Sequence, residues 1–475
     1  MGNSIVAVER LDKDTIVGLF AMAVGILVVA NDFTALSVAI PSIEKTFNTD
    51  VTTAQWVINS YAMVFGVVIV TGGRLADMFG RRRIFLIGAG IFALFSLVGG
   101  LAPDVRLLLV CRGIMGIGGA MMWPAVLGMT YEIIPDSRAG LAGGLIIGVA
   151  GIGNAMGPLL GGTLTDTLGW RWIFYINVPV ALVGILTVLI VIPRDKPTAR
   201  GERIDYGGTA ALTVGLLSLL LALDWGVDLG WTDPVILSLF GVGAAALIGF
   251  GIYENRAGNT ALIPDSVMKN LTFAMATLTT LMIAAVFFGA LLYLPQFMTK
   301  TLGFTAIGSG AGLLPMMLTF ALVSFIAGRA YEALGAKLIV SVGAAFLAGG
   351  MFLLSTIQSG TTYDQLVPGM IVLGIGIGLF YSSVTTAGVT ALDPSRSSLA
   401  GAIIYMANVA GGAIGLGLNT AIVVTAPSLT EGIRTAFLVN GSLAVIGVVI
   451  ALMFIGGPID KKRLRELRHH HRAHT

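Results

Sequence analysis

Two charged residues lie deep inside apolar runs of this 475-residue sequence. Asp32 interrupts the run near 15–40, nine residues before Pro41, and Arg112 lies nine residues after Pro103 in a later run. If the two runs form antiparallel membrane helices, a rise of 1.5 Å per residue places both charges about 13 Å below the same surface. A charge in a bilayer costs several kcal/mol unless it is paired or neutralised.

If Asp32 and Arg112 lie close together, the carboxyl group of Asp32 is subject to two opposing influences. Burial favours the neutral form of a carboxyl group, whereas a nearby arginine favours its charged form. An aspartate under both influences can change its protonation state when its surroundings change. We therefore predict that Asp32 couples protons or binds a cation, and that Arg112 relays protons or controls the conformation. The alternative for both residues is a permanent structural ion pair.

The composition requires a membrane around these charges. Apolar types make up 56% of the residues and charged types 11%, whereas a soluble domain carries about 25% charged residues. This excludes a soluble enzyme, a disordered protein and a nucleic-acid-binding module. The single cysteine, Cys111, excludes an intramolecular disulfide, and all four histidines lie in the C-terminal tail. We therefore predict neither a metal site nor an enzyme.

Runs without Asp, Glu, Lys or Arg mark the candidate membrane spans. A helix needs about 20 apolar residues to cross the bilayer core. With the run around Asp32 included, the sequence predicts an all-α protein with fourteen spans, at 15–40, 51–73, 84–103, 113–131, 139–165, 172–193, 206–223, 234–253, 270–299, 301–328, 338–363, 365–392, 397–430 and 435–459.

Basic residues set the expected orientation. The loops on the side of the two termini carry 22 lysines and arginines, and the opposite loops carry 5. Cytoplasmic loops of membrane proteins carry the excess of these residues. We therefore predict a multi-pass protein of the cytoplasmic membrane with both termini inside, and with extracellular loops at 41–53, 225–233 and 425–433.

The chain also repeats itself. The segment 73–88 matches 328–343, and SRAGLAG at 137–143 matches SRSSLAG at 395–401. Spans 2, 3 and 5 therefore correspond to spans 10, 11 and 13. This predicts two pseudo-symmetric six-helix bundles with an inserted pair of helices, an architecture typical of alternating-access transporters. The predicted segments are the tail 1–14, the bundle 15–193, the loop 194–205, the inserted pair 206–253, the loop 254–269, the bundle 270–457 and the basic tail 458–475.

The repeated loops predict a cytoplasmic gate. Asp77 corresponds to Glu332, and Arg138 corresponds to Arg396. Acids gain from contact with helix N-termini as well as with arginines. Asp77 should therefore pair with the Ser395–Arg396 end, and Glu332 with the Ser137–Arg138 end. Alternatively, the basic loop only fixes the topology. The full set of gate candidates is Gly73, Asp77, Gly80, Arg81, Arg82, Arg138, Glu332 and Arg396.

Several blocks resemble the major facilitator superfamily, and in particular its fourteen-helix drug/proton antiporter branch of the multidrug efflux type. They are NDFTALSVAIPSI at 31–43, GRLADMFGRRR at 73–83, LLLVCRGIMGIGGA at 107–120 and WRWIFYINVP at 170–179. The helix 5 antiporter motif of that branch is matched by Gly144, Gly153, Gly157, Pro158, Gly161 and Gly162. The resemblance implies a gating role for this motif.

The resemblance implies a monomeric proton antiporter that exports lipophilic, including cationic, drugs and needs no cofactor. The glycines lie in apolar spans without a P-loop lysine, so we predict no ATP site. The expected partners are a small-molecule substrate, protons and the lipid bilayer, without nucleic acid. An exporter of an endogenous metabolite, lipid or peptide is the alternative; a non-transporting sensor fits less well because no loop is large.

The predicted cavity is apolar and aromatic. Such side chains suit lipophilic and cationic ligands. We interpret Asp224 and Trp231, which belong to the inserted pair or its outer loop, as peripheral. The cavity candidates are Trp56, Asn59, Tyr61, Met115, Met122, Trp123, Asn154, Tyr293, Gln296, Tyr381 and Asn408.

Overall fold

The computed structural model describes residues 13–135, 138–194, 205–257 and 261–456. The predicted tails at 1–14 and 458–475 lie almost wholly outside the described residues. So do most of the predicted loop 194–205 and residue Ser137 of the predicted gate. All statements below concern the described part of the chain.

Fourteen helices are long and apolar enough to cross a membrane. No strand occurs among the residues that the structure describes. The prediction of an all-α protein with fourteen spans is confirmed. In chain order the helices are α1 (Lys13–Ala35), α2 (Val51–Phe79), α3 (Arg81–Gly100), α4 (Val105–Ile133), α5 (Ala139–Thr167), α6 (Arg171–Val191), α7 (Tyr206–Leu229), α8 (Pro234–Ala257), α9 (Leu271–Lys300), α10 (Leu314–Leu334), α11 (Ala336–Leu354), α12 (Tyr363–Thr390), α13 (Ser397–Thr425) and α14 (Leu429–Phe454).

Local sequence signals set several helix ends. The side chain of Asp104 accepts a hydrogen bond from the Leu107 N–H at 2.9 Å and caps α4, as short polar side chains do at helix N-termini. Gly80 joins α2 to α3 with a φ of 106°, and Gly335 joins α10 to α11 with a φ of 85°. Both turns need a residue without a Cβ, which explains why the repeat keeps glycine at this point.

Several predicted span boundaries differ from the helix ends, most clearly in two places. The run 301–328 is not one helix, because Gly303 adopts a φ of 74° and a short helix at Ala306–Gly312 precedes α10. Pro315 lies in the first turn of α10, a position where its missing N–H costs nothing. In addition, α7 continues to Leu229, so that the loop between the inserted helices shrinks to 230–233.

The helix packing repeats at a shift of eight helices. α1 packs on α5 and α6, as α9 packs on α13 and α14. α4 packs on α2 and α3, as α12 packs on α10 and α11. The two sets, α1–α6 and α9–α14, therefore form the two related six-helix bundles that the repeat predicts.

The halves meet chiefly along two helix pairs, α5 with α10 and α2 with α13, and α5 also contacts α12 as α13 contacts α4. This reciprocal pairing is the one expected from a two-fold relation between the bundles. The inserted pair lies outside it: α8 packs chiefly on α7, while α7 contacts both α2 and α13. The inserted pair is thus attached to the junction of the two halves.

Candidate substrate cavity, buried ion pair and gate

Asp32 of α1 and Arg112 of α4 form an ion pair. Nη1 of Arg112 lies 2.5 Å from Oδ2 of Asp32, and both side chains are fully buried. The structure therefore brings together the two deep charges that the sequence singles out. Removing only one partner of such a buried pair strongly destabilises the protein, because it leaves the other charge buried without compensation.

A third residue completes the polar site around Asp32. The Asn177 amide of α6 donates to Oδ1 of Asp32 at 3.0 Å and lies 3.3 Å from the Ser96 hydroxyl. That hydroxyl donates to the carbonyl of Phe174 at 2.8 Å. Our sequence reasoning missed Asn177. The available signal was an amide inside the apolar run 172–193, within the block WRWIFYINVP.

Arg112 is held from two further sides. Its Nε donates to the Val57 carbonyl at 2.6 Å. Its guanidinium carbon lies 4.4 Å from the centre of the Tyr61 ring, a distance typical of a cation–π contact. Tyr61 therefore acts on the ion pair and not on the cavity, for which the sequence had suggested it.

A cavity of about 440 Å³ lies between the two bundles. Its volume falls within the range of sites that bury a drug-sized ligand. Its walls are mostly apolar and aromatic, with contributions from both halves and from α7. Neither Asp32 nor Arg112 belongs to the lining. The aromatic lining residues are Phe33, Trp123, Phe287, Phe288, Phe320, Tyr381 and Tyr405.

Five of the eleven predicted cavity residues line this space: Asn59, Trp123, Asn154, Tyr381 and Asn408. The other six lie outside its lining. Tyr61, Met115 and Met122 are buried in helix packing within the first half. Trp56 packs its ring against Trp225, the Tyr293 hydroxyl is hydrogen-bonded to Thr420, and Gln296 is half-buried near the end of α9.

Asp224 lines the cavity, so the interpretation of this residue as peripheral was wrong. The Asn59 amide of α2 donates to Oδ1 of Asp224 at 3.0 Å. Asp224 reaches the cavity because α7 packs against both α2 and α13. The internal repeat placed α7 outside the six-helix halves, and hydropathy contains no information on which face of α7 meets them.

At one end of the molecule, α2 ends beside the start of α13, and α10 ends beside the start of α5; we call this the gate end. The Asp77 carboxylate accepts hydrogen bonds from the N–H groups of Leu399 at 2.9 Å and Ser398 at 3.3 Å. In the related position, the Glu332 carboxylate accepts from the Leu141 N–H at 3.1 Å. Each acid therefore contacts the first turn of a helix in the opposite half.

The other predicted gate residues take different positions. Arg81 lies 3.2 Å from Asp77 and donates to the Pro394 carbonyl at 2.7 Å. A Cβ on Gly73 would lie 2.8 Å from the Ser398 carbonyl oxygen, so glycine is required there. Arg138 and Arg396 are the residues directly before α5 and α13. Arg82 instead donates to the Leu189 carbonyl of α6 within the same half.

The profile of the Major Facilitator Superfamily matches residues 22–317 and again residues 276–473. This chain belongs to the Major Facilitator Superfamily. The two matches cover the two halves of the chain, as the internal repeat leads one to expect. The resemblance noted in the sequence is thereby confirmed, and the protein is a multi-pass membrane transporter of small molecules.

Relatives within the superfamily include several resistance proteins. The puromycin resistance protein pur8 of Streptomyces alboniger is 32% identical over 448 residues, which cover 93% of this chain and 88% of the relative. Multidrug resistance protein 3 of Bacillus subtilis is 31% identical over 393 residues, 82% of this chain and 75% of the relative. The tetracenomycin C resistance and export protein of Streptomyces glaucescens is 28% identical over 397 residues, 84% and 74% of the two chains.

A solved structure of the superfamily shares the fold. The crystal structure of the human organic anion transporter MFSD10 (TETRAN) gives a TM-score of 0.68 and covers 92% of this chain and 99% of its own. Its sequence is 14% identical, so the likeness concerns the fold alone.

The helix 5 motif of this superfamily member lies between α1 and α10. A Cβ on Gly153 would lie 2.9 Å from that of Ala30, and one on Gly157 would lie 2.9 Å from the Ala35 nitrogen. A Cβ on Gly161 would lie 2.0 Å from the Ala35 carbonyl oxygen, and one on Gly144 would lie 2.7 Å from the Ser324 carbonyl oxygen of α10. These glycines allow close helix approach.

The last two motif positions are less crowded. A Cβ on Gly162 would make only ordinary contacts, the nearest at 3.6 Å to Ile307, and the Pro158 ring lies beside Gly310. The motif as a whole thus places α5 against α1 of its own half and α10 of the other.

Proposed function

We propose that this protein is a proton-coupled antiporter that exports small lipophilic compounds, including cations, from the cytoplasm by alternating access. The observation that carries the proposal is the Asp32–Arg112 ion pair, which is buried next to a drug-sized cavity but outside its lining. A carboxylate in this position can take up and release protons without also being occupied by the substrate.

The ion pair supports a simple coupling scheme. When a proton neutralises Asp32, the salt bridge to Arg112 loses its charge partner, and the buried guanidinium becomes uncompensated. This raises the free energy of the present conformation and favours one in which Arg112 finds other partners. The Asn177 amide contacts the same carboxylate and also the Ser96 hydroxyl, so that protonation also changes how α1, α3 and α6 are held together.

The cavity supports lipophilic substrates. Its aromatic walls supply apolar contact area and attract cations. Three buried polar atoms of lining residues have no hydrogen-bond partner within the described part of the chain: Trp123 Nε1, the Tyr381 hydroxyl and Asn408 Oδ1. A few such groups in an apolar pocket are typical of ligand sites. The names of the relatives, which refer to puromycin, tetracenomycin C and multidrug resistance, favour drugs as substrates.

We assign the gate end to the cytoplasm, with both termini on that side of the cytoplasmic membrane and one copy of the chain as the working unit. The excess of lysine and arginine in the loops on that side supports the assignment. With the gate closed, as Asp77 and Glu332 hold it, the present conformation is the one closed toward the cytoplasm.

Proteoliposomes with an imposed pH gradient test the proposal. Wild-type protein should move lipophilic dyes against their gradient, and a proton ionophore should stop this movement. Asp32→Asn should abolish gradient-driven transport, while Asp233→Asn, which removes the same charge from the loop between α7 and α8, should leave it intact. Dye transport by Asp32→Asn at the wild-type rate would contradict the role of Asp32, and transport indifferent to the ionophore would contradict proton coupling.

A further inference from the structure

We propose that Phe33 of α1 and Tyr61 of α2 transmit the occupancy of the cavity to the Asp32–Arg112 ion pair, so that a bound substrate and a proton on Asp32 oppose each other. Phe33 is the residue that touches the substrate, and Tyr61 is a positioning residue that acts through Arg112. This inference rests on the proposed function and adds to it the residues that link its two sites.

Asp32 and Phe33 are neighbours in α1 that face different parts of the protein. An α-helix has about 3.6 residues per turn, so consecutive side chains are rotated by about 100°. Asp32 is turned towards Arg112 and is fully buried, whereas Phe33 is half-buried and lines the cavity. One turn of α1 therefore carries both a wall residue of the cavity and the acid of the ion pair.

The ring of Phe33 packs against the ring of Tyr61. The two ring centres are 4.9 Å apart, and the angle between the ring planes is 74°, an edge-to-face arrangement that aromatic pairs prefer. Tyr61 itself is fully buried and does not belong to the lining of the cavity. A substrate that packs on Phe33 therefore restricts the Tyr61 ring without touching it.

Tyr61 also contacts the arginine of the ion pair. The guanidinium carbon of Arg112 lies 4.4 Å from the centre of the Tyr61 ring, and Nε of Arg112 donates to the Val57 carbonyl one turn earlier in α2. The Tyr61 hydroxyl is buried and has no hydrogen-bond partner among the residues that the structure describes. The ring, and not the hydroxyl, therefore holds Arg112 in the position from which it pairs with Asp32.

The same aromatic cluster reaches the other half of the transporter. Phe65 lies one turn after Tyr61, and its ring centre is 5.9 Å from that of Tyr61 and 5.5 Å from that of Tyr405 in α13. Tyr405 lines the cavity as well. A movement of Tyr61 therefore also affects the contact of α2 with α13, one of the main contacts between the halves.

The substrate and the proton favour different arrangements of this cluster. A substrate on Phe33 favours the present one, in which Tyr61 covers Arg112 and the guanidinium pairs with Asp32. A proton on Asp32 removes the counter-charge of Arg112 and favours its departure from this position, which takes away a contact of the Tyr61 ring. By linkage, a bound substrate disfavours protonation of Asp32, and protonation weakens substrate binding by the same factor.

The ionisable groups that face Asp32 are Arg112 of α4 and Tyr61 of α2. From α6, the neutral amide of Asn177 faces it. The remaining ionisable side chains of α5 and α6 are directed elsewhere: Arg171 donates to the Ala102 carbonyl, Tyr175 donates to the Gly100 carbonyl, and Asp166 lies about 18 Å along α5 from Asn154, whose carbonyl accepts from Thr34 of α1. The pH response of this cluster is therefore assigned to Asp32, and Asp32→Asn checks the assignment.

Binding of a neutral probe at alkaline and at acidic pH tests the inference on purified full-length protein. The probe is triphenylphosphine oxide, which carries no titratable group of its own. We expect the wild-type affinity to be lower at acidic pH by about 5- to 150-fold, the usual range of coupling between two sites. Asp32→Asn and Tyr61→Leu should each bind the probe with nearly the same affinity at both pH values.

Three further variants separate the link from general effects on the fold. Tyr61→Phe keeps the ring and should keep the wild-type difference between the two pH values. Phe33→Leu, which shortens no fully buried side chain, should weaken binding at both pH values and also reduce the difference between them. The matched control is Phe437→Leu, which shortens a fully buried aromatic residue of α14 and should keep the full difference.

The inference and the proposed function fail in different ways. The full pH difference in Tyr61→Leu or in Phe33→Leu would show that the coupling does not pass through these rings. A loss in Tyr61→Phe or in Phe437→Leu as large as in Tyr61→Leu would also overturn the inference, because the ring contact with Arg112 would then not be the cause. A wild-type affinity that does not depend on pH, or an Asp32→Asn variant with the full difference, would instead contradict proton coupling at Asp32 and with it the proposed function.

Discussion

Gly140 of α5 and Gly328 of α10 meet back to back at the gate end. The carbonyl oxygen of each residue occupies the space that a Cβ on the other would need. The Glu332 carboxylate bonds to the Leu141 N–H one residue further along. If this end is the gate, as we propose, its closed arrangement depends on a backbone contact between the halves that only two glycines allow.

Gly140→Ala should push the transporter toward the state open to the cytoplasm. The added methyl group has no space in the closed gate, and overpacking of this kind costs about 1–3 kcal/mol. The open state separates α5 from α10 and does not bear this cost. A difference of about 1.4 kcal/mol changes the ratio of two states tenfold. Spin labels near the start of α5 and the end of α10 should therefore be farther apart in Gly140→Ala than in the wild type.

Gly90→Ala is the matched control. A Cβ at this position of α3 has no neighbour within 4 Å, and the substitution should change neither the distance distribution nor transport. If Gly140→Ala also leaves the distance distribution unchanged, the glycine contact does not hold the gate closed.

The Asp32–Arg112 pair predicts a non-additive loss of stability. Asp32→Asn leaves the buried guanidinium without its counter-charge, at a cost of about 3–5 kcal/mol, whereas replacing both partners with uncharged groups is often neutral. The double variant Asp32→Asn with Arg112→Met should therefore unfold at nearly the wild-type denaturant concentration, yet fail to transport. Equal stability of Asp32→Asn and wild type would show that Arg112 has a second anionic partner.

The fold was largely predictable because hydropathy and the repeat report on it directly. Each long apolar run became a membrane helix, and the loop matches at 73–88 and 328–343 identified the halves. The exception at 301–328 has a local cause. The run is interrupted by the positive φ of Gly303 and by the start of α10 at Leu314, where Pro315 lies in the first turn. A search for charge-free runs does not detect such breaks.

The site was predictable only in part, because depth in the membrane does not determine which way a side chain faces. Matching distances from the helix ends placed Asp32 and Arg112 at one level, and the structure joins them. The same reasoning gave no direction for Asp224 or Asn177. Their positions follow from the packing of α7 on two other helices and of α6 on α1, and hydropathy does not report this packing.

The proposed orientation can be tested at the loop between α7 and α8. Thr232 is exposed in this loop, which lies opposite the gate end. Thr232→Cys, in a background in which the buried Cys111 is replaced by alanine, should react with an impermeant maleimide added to intact cells. A cysteine at exposed Phe79, at the gate end, should react only in inverted vesicles. The reverse pattern would place the gate on the extracellular side.

The contact of Asp77 with α13 predicts how its variants behave. In the opposite half the carboxylate accepts from the N–H groups of Ser398 and Leu399, in addition to its contact with Arg81 of its own half, so an acceptor at position 77 is required. A negative charge near a helix N-terminus adds about 0.3–1 kcal/mol to such a contact. Asp77→Asn should therefore weaken the closed gate moderately, and Asp77→Ala should weaken it more, with correspondingly slower turnover. The exchange Asp77→Arg with Arg396→Asp should not restore transport, because arginine cannot accept these hydrogen bonds.

The control for Asp77→Asn is Asp104→Asn. Both aspartates accept from N–H groups at a helix start, but Asp104 caps its own helix α4, where asparagine is an equally good cap. Asp104→Asn should therefore transport at the wild-type rate. Spin labels at the gate end of α2 and the start of α13 should show a growing fraction of long distances in the order wild type, Asp77→Asn, Asp77→Ala. If the charge exchange instead restores wild-type turnover, the closed gate depends on the Asp77–Arg396 charge pair and not on the backbone of α13.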